Sequence, residues 1–169
     1  MTTGCIWGYW DRWHEGMTAS MTEAMRVCDG DDLHVVVIEG STEINEKVEV
    51  KRSYLVHRRN YVKDKVKDIA KDTGYKPKII YHIYETLTEA ITDCGSYPFD
   101  ILFVVEHDKN NCVPFNANIA AAQFSKTSSG RKEAKLHVVK SVFEEGTEIT
   151  CSSTRLRKRE KLRNRAKNK

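Results

Sequence analysis

The chain has 169 residues, of which 40% are hydrophobic and 31% charged, and its net charge is +4. This length favours a single domain with a sizeable core, and no apolar run approaches the roughly 20 residues of a membrane span, which excludes a transmembrane protein. Five dispersed cysteines without a CxxC pair, together with the lack of a signal-peptide pattern, favour reduced thiols and a cytoplasmic location over a disulfide framework or a zinc site.

Short β-branched apolar runs along the chain are typical of buried parallel strands. They cover residues 4–9, 33–38, 78–83, 100–105 and 135–140. Between them, apolar residues at helical spacing predict helices from Glu15 to the Asp29–Gly30 turn and over 53–72. Further helices are predicted over 84–94 and 115–124, and a short strand over 148–150.

This alternation predicts a Rossmann-like α/β fold, a three-layer sandwich with a mainly parallel five-stranded sheet. Ligands of such sheets bind beyond the carboxyl ends of the strands, where the strand order reverses. The loops that directly follow strands are therefore the expected place for the chemistry.

The positive charge is concentrated at the end of the chain. The last fifteen residues hold nine Lys or Arg and one Glu, so the part before them is mildly acidic. We divide the chain into a domain over 1–157 and a basic C-terminal helix or tail over 158–169. Such a tail can bind nucleic acid or another anionic surface, but a solvated, partly frayed helix is the favoured interpretation.

Two stretches have the composition of anion-binding turns. The first, IWGYWDRWHEGM (6–17), joins the first strand to the first helix, where glycine permits close approach and the helix N–H groups favour phosphate. The second, CSSTRLRK (151–158), places three hydroxyls before a basic helix. A surface histidine in the first and a plain helix cap in the second are the alternatives. Two such turns indicate a ligand with several phosphates, namely a nucleoside triphosphate.

The two stretches resemble known signatures. GYWDRWHEGM resembles the G-T-F-D-x-x-H-x-G-H signature of the cytidylyltransferase-like nucleotidyltransferase superfamily, and CSSTRLR resembles its second signature, I-S-S-T-x-I-R. The strand and loop DILFVVEHD (100–108) are similar to its middle signature. The resemblance implies that a phosphorylated small molecule attacks the α-phosphorus of a nucleoside triphosphate and releases pyrophosphate, with Mg²⁺ neutralising the triphosphate.

Cytidylyl transfer is the favoured reaction and adenylyl transfer the alternative. A nucleotide- or nucleic-acid-binding protein without transferase activity is the alternative from another class. The superfamily also implies a possible homodimer, and no membrane partner is expected.

The resemblance assigns roles by position in the three signatures, and for Lys51 and Arg58 by position at the second helix. Arg58 is chosen over its arginine neighbours, Asp108 has a turn residue as its alternative, and the tryptophans have core packing as theirs. The implied catalytic residues are His14, Lys51 and Arg157. The implied nucleotide-binding residues are Gly8, Tyr9, Trp10, Asp11, Gly16, Met17, Ser152, Ser153 and Thr154, and the implied substrate-binding residues are Asp108 and Arg58.

Met17 is the main departure from the pattern, because it occupies the position of the second signature histidine. A methionine donates no hydrogen bond and stays neutral. Arg12, His57 and His107 are the alternative sources of the missing donor. Losing one preorganised donor can lower a rate by roughly 10²–10³. The HEGM stretch is not expected to bind a metal, since no third ligand lies at a suitable spacing.

Overall fold

The computed structural model contains one parallel β-sheet with helices packed against it. It describes residues 2–8, 10, 13–38, 52–85, 89–90, 93, 99–105, 134–139 and 153–168. The strands are β1 (Thr3–Gly8), β2 (Asp32–Ile38), β3 (Lys78–Tyr84), β4 (Ile101–Val105) and β5 (Lys135–Val139). The helices are α1 (Glu15–Val27), α2 (Arg52–Thr73) and α3 (Ser153–Lys167).

The five strands lie in the order β3-β2-β1-β4-β5, and every neighbouring pair is parallel. β1 is therefore central, with Gly4 opposite Leu33 on one side and Ile101 on the other. The chain builds outward from β1 to β3 and then returns to the far side of β1 at β4. The predicted Rossmann-like α/β fold is confirmed, and its switch point lies between β1 and β4.

Both long predicted helices form close to their predicted bounds. α1 begins at Glu15, and the N–H of Cys28 closes it by donating to the Ala24 carbonyl at 3.0 Å. α2 ends at Gly74, whose φ of 81° is the left-handed C-terminal cap that glycine adopts without strain. The helix predicted over 84–94 begins too early, because Tyr84 is the last residue of β3. After residue 85, the structure describes this segment at 89, 90 and 93, all helical. The predicted elements over 115–124 and 148–150 lie outside the described residues.

Apolar side chains fill both faces of the sheet, as a parallel sheet requires. One face packs against α1 and α2 and contains Phe103, Met21 and Leu55, all almost fully buried. The other contains Leu102, Val36 and Phe99. Cys5 and Cys28, the cysteines within the described part of the chain, are buried and are not in a disulfide. Burial raises the pKa of Cys28 to about 11, so this thiol is inert at neutral pH.

α1 also ties the two halves of the sheet together through a charged contact. The Glu23 carboxylate of α1 accepts hydrogen bonds from Nε of Arg26 at 2.9 Å and from Nη2 of Arg26 at 2.7 Å. Its Oε1 also lies 3.1 Å from Nε2 of His137 on β5. The hydrogen bond from Arg26 is the main cause that lowers the pKa of Glu23. The carboxylate therefore joins α1 to the strand at the far edge of the sheet.

The domain boundary predicted after residue 157 falls inside α3, so the division into domain and tail stays a prediction. Among the described helices, none combines the length and the apolar character that crossing a bilayer requires.

Gly4 is held at a close approach between β1 and α1, which yields a prediction about stability. A Cβ at this position would lie 2.5 Å from Sγ of Cys28 and 2.7 Å from the ring of Phe103, both buried. We expect Gly4→Ala to lower the free energy of unfolding by roughly 1–3 kcal/mol through overpacking. Urea denaturation measures the change. Adding Cys28→Ala should recover part of the loss. If the double variant instead loses the sum of the free energies that the two single variants lose, the contact is contradicted.

Two stacked histidines lie on the second face of the sheet. Nδ1 of His34 on β2 is 2.8 Å from Nε2 of His82 on β3, with ring centroids 5.1 Å apart, and Phe99 packs edge-on against His34. Burial, with a smaller effect of His82, lowers the pKa of His34 to about 4, and Asp32 opposes the shift. Burial also lowers the pKa of His82, against the opposing charge of Asp93. The pair is therefore neutral near pH 7.

The histidine pair predicts a loss of stability in mild acid. Its folded pKa values lie below the unfolded value near 6.5, so its contribution is complete above that value and disappears as the pH falls from about 6.5 towards 4. We expect the loss to reach roughly 1–2 kcal/mol after allowance for solvent screening. Urea midpoints measured from pH 7.5 to 4.5 should fall less steeply in His34→Asn than in wild type. The exposed-site control His57→Asn should follow wild type, and identical slopes for all three proteins would contradict the assignment.

Candidate functional site

The candidate site lies where β1 ends, at the switch point of the sheet. Gly8 is the last residue of β1, and α1 begins seven residues later at Glu15. The carboxyl end of β4 lies beside that of β1 because the two strands are paired and parallel. The N-terminus of α1 therefore stands at the crevice in which open parallel sheets bind their ligands.

Trp10 fixes the turn between β1 and α1. Its backbone has φ 52°, in the left-handed region that an aromatic residue rarely adopts. The indole ring is only 4% exposed, and its Nε1–H donates to the Val36 carbonyl at 3.0 Å. Strain of this kind costs on the order of 1–3 kcal/mol and persists only where the surroundings enforce it. Ring burial and the hydrogen bond to β2 supply that enforcement here.

Trp13 extends this anchor to both neighbouring helices. Its ring stacks on Trp10 at 5.7 Å between centroids and meets Tyr61 of α2 edge-on at 6.3 Å. Its Nε1–H donates to Oγ1 of Thr18 in α1 at 2.8 Å. Nζ of Lys65 lies 5.3 Å from the centre of the Tyr61 ring. The turn is thus held by β2, α1 and α2 together.

His14 is the N-cap of α1. Its Nδ1 accepts a hydrogen bond from the Gly16 N–H at 3.1 Å, and its carbonyl accepts from the N–H groups of Met17 and Thr18. Burial lowers the pKa of His14, so the ring is neutral near pH 7. Because Nδ1 is an acceptor, the proton of the neutral ring lies on Nε2. His14 therefore offers one uncharged N–H donor beside the positive end of the α1 dipole.

Met17 lies on the first turn of α1, half-buried and packed against the core beneath it. The turn consequently offers the single imidazole donor of His14, where the signature pattern would supply two. Gly16 occupies the second position of the helix. The N–H groups of Gly16, Met17 and Thr18 all donate to His14. Among the described groups, a ligand at this turn would therefore meet the Nε2–H of His14 and the positive end of the α1 dipole.

The structure gathers part of the predicted site at this turn, namely Gly8, Trp10, His14, Gly16 and Met17. The Trp10 ring packs in the core. A role of Trp10 in ligand binding stays a prediction, and it would be a role of the backbone. Arg58 lies half-buried on α2.

The side chains of the remaining predicted site residues lie outside the described part of the structure, so their roles stay predictions. Ser153 begins α3, with Thr154 and Arg157 in its first turns, but their side chains are outside the described part of the structure. The other predicted residues outside the described range are Tyr9, Asp11, Lys51, Asp108 and Ser152.

Two features of the turn are missing from the sequence-based prediction. The left-handed backbone of Trp10 has no sequence signal, since glycine or asparagine is the usual residue in that conformation. The contact of Trp13 with Tyr61 was only weakly indicated by the sequence, through the spacing of two tyrosines on α2. Tyr54 and Tyr61 are seven residues apart on an outward-facing stripe of α2, and their exposed fractions of 61% and 44% are unusual for aromatic side chains.

A resident metal centre is absent from the described residues, among which no three His, Cys, Asp or Glu side chains form a group that could hold an ion. The predicted Mg²⁺ stays a prediction. In phosphate sites, Mg²⁺ binds through few protein ligands together with phosphates and water.

Comparison with known proteins gives a fold but no family. No protein-family model matches the sequence, and no curated protein matches it. Among solved structures, the fold is similar to the lipopolysaccharide core biosynthesis protein from Thermoplasma volcanium, with a TM-score of 0.53 and 18% identity over 82% of this chain and 96% of that one. The chain has a Rossmann-like α/β fold.

Two hypothetical proteins are similar as well. PH0823 matches with a TM-score of 0.52 and 8% identity, covering 84% of this chain and 98% of its own. MJ0577, the subject of a structure-based assignment of biochemical function, matches with a TM-score of 0.44 and 19% identity, covering 85% and 97%.

These comparisons correct the expected activity. The motifs predicted nucleotidyl transfer, but the similar structures are a lipopolysaccharide core biosynthesis protein and the hypothetical protein PH0823, and neither is described as a nucleotidyltransferase. The prediction is therefore wrong. Its physical weakness lies in the motif itself, since glycine, histidine and a helix N-terminus are what phosphate binding requires, with or without a reaction. Met17, which donates no hydrogen bond, is the position at which the reaction-specific part of the pattern is missing.

The cap formed by His14 yields a prediction about α1. We expect His14→Ala to lower the free energy of unfolding by about 1 kcal/mol, because the Gly16 N–H loses its acceptor. His14→Ser should recover most of that loss, since serine is a preferred N-cap. Urea denaturation at pH 7 compares the three proteins. Equal destabilisation by serine and alanine would show that the cap contributes nothing.

Proposed function

We propose that the chain binds a nucleotide through its phosphate groups at the turn between β1 and α1. The observation that carries the proposal is the placement of the His14-capped N-terminus of α1 at the switch point of the sheet. Open parallel sheets bind ligands at that point, and the positive end of a helix dipole attracts phosphate.

The chemistry of the turn supports an anionic ligand. His14 presents a neutral Nε2–H donor, which can bond a phosphate oxygen without giving up a proton. Gly8 and Gly16 carry no side chain that would keep a phosphate from the backbone. The anchored backbone of Trp10 holds this arrangement before any ligand arrives, so binding requires little ordering of the turn.

The resemblance to the cytidylyltransferase-like superfamily supports a nucleotide rather than free phosphate. In the proposed site, Ser152, Ser153, Thr154 and Arg157 supply contacts for the outer phosphates, and Lys51 and Arg58 supply positive charge. Mg²⁺ would accompany a triphosphate and be held mainly by its oxygens. A homodimer, expected from the same resemblance, stays a prediction.

A thermal-shift experiment tests the proposal. The four ribonucleoside triphosphates are added separately at 5 mM, with and without Mg²⁺, to wild type and to His14→Ser. A ligand at about 100 times its Kd stabilises the folded chain by about 2.7 kcal/mol. For a chain of this size, we expect the wild-type melting temperature to rise by roughly 5–10 °C. We expect the rise to be at least halved in His14→Ser, which keeps the helix cap but removes the imidazole donor.

The matched control is His137→Asn, which removes a half-exposed histidine from the middle of β5. It should keep the full nucleotide-dependent rise even if its own melting temperature is lower. The proposal fails if no triphosphate stabilises wild type, or if His14→Ser responds to nucleotide as strongly as wild type does.

A further inference from the structure

The C-terminal helix α3 is strongly cationic. Its fifteen residues, STRLRKREKLRNRAK, contain eight Lys or Arg and one Glu. All side chains described in it, from Arg159 to Asn168, are exposed. The site between β1 and α1 uses none of these exposed residues, so their charge is unexplained by the proposed function.

The charges are arranged against the stability of the helix itself. Arg163 and Lys167 are spaced four apart. Like charges at this spacing lie on the same side of a helix and destabilise it. Glu160 is the single acidic residue of the helix. An anionic partner bound along α3 would remove this repulsion.

Core packing does not compensate for the repulsion in the described part of α3. Leu162 is the one large apolar side chain between 159 and 168, and it is 63% exposed. A helix that binds a membrane surface needs a continuous apolar face. The described length of α3 has no such face, so an anionic lipid surface could attract it by charge alone, as any flat anionic surface would.

The direction of the charges points to the kind of partner. At 100° per residue, Arg165 lies on the side of α3 roughly opposite to Arg163 and Lys167. A flat anionic surface would neutralise only one of these sides. A groove with phosphates along both walls would neutralise both. The major groove of B-form DNA, about 12 Å wide, admits a helix of roughly 10–12 Å diameter, whereas the deep, narrow major groove of A-form RNA does not.

We propose that α3 binds double-stranded DNA by lying in the major groove and contacting the phosphates on both sides. Arginine suits this role because its planar guanidinium can bond two phosphate oxygens at once. The binding is carried by phosphate contacts and is therefore strongly salt-dependent and largely independent of sequence. It does not depend on the nucleotide site.

The test measures binding of the full chain to a fluorescein-labelled 20-base-pair DNA duplex of mixed sequence, by anisotropy between 50 and 300 mM NaCl. The variant R163Q/R165Q/K167Q removes three charges from exposed positions of α3. Its affinity at 50 mM NaCl should fall 10- to 100-fold, and the slope of log K against log salt should become shallower by about 2 to 3. The control K67Q/K71Q/K76Q removes the same charge from exposed positions in and after α2 and should lose less than threefold.

Five further measurements separate this proposal from its alternatives. Circular dichroism at 222 nm should show helix content rising when duplex is added to wild type, and unfolding midpoints should show that both variants keep their fold. A 20-base-pair RNA duplex should bind at least tenfold more weakly than DNA. Vesicles with 30% phosphatidylserine should not bind at 150 mM NaCl. His14→Ser should bind DNA as wild type does, so this proposal and the nucleotide proposal can fail separately.

The proposal is overturned if wild type does not bind duplex DNA at 50 mM NaCl, or if the two triple variants lose equal affinity. Binding of the vesicles in preference to DNA, or of duplex RNA as tightly as DNA, overturns it as well.

Discussion

The geometry of the candidate site depends on one hydrogen bond, from the indole of Trp10 to the Val36 carbonyl. This bond and the burial of the ring hold the backbone of Trp10 in a conformation that it would otherwise leave. The direction in which the chain departs from β1 follows from that conformation, and so does the position of His14 at the start of α1. Trp13 stacks on the same ring and transmits the constraint to α2 through Tyr61.

A turn fixed in this way can bind a ligand without catalysing a reaction of that ligand. Its positive character comes from the α1 dipole and from backbone N–H groups, which are present whatever side chains surround them. The single histidine is kept neutral by burial and is oriented by the helix that it caps. Such a site can hold phosphate without activating a nucleophile. The replacement of a second donor by Met17, which packs on the core, is consistent with this division.

The order of secondary structures and the fold were accessible from sequence because they depend on local patterns. Short β-branched runs identified the strands, and the spacing of Met21, Ala24 and Met25 identified the inner side of α1. The position of the turn at the switch point followed from the fold. The internal structure of the turn did not, because the backbone of Trp10 is set by a partner on β2, 26 residues away. Function was predicted too finely, since residues that bind phosphate do not specify what happens to it.

The pairing of the central strand has a consequence for the order of folding. The contact that fixes the amino end of β1 to the β2 side, from Thr2 to Asp31, spans 29 residues, whereas the one to the β4 side, from Thr3 to Asp100, spans 97. The entropy lost on closing a loop grows with its length, and long-range parallel pairing is slow. The sheet therefore has an early half, β1 to β3 with α1 and α2, and a late half that joins it through β4. The switch point, where the candidate site lies, is also the seam between them, and it is completed only when the second half has docked.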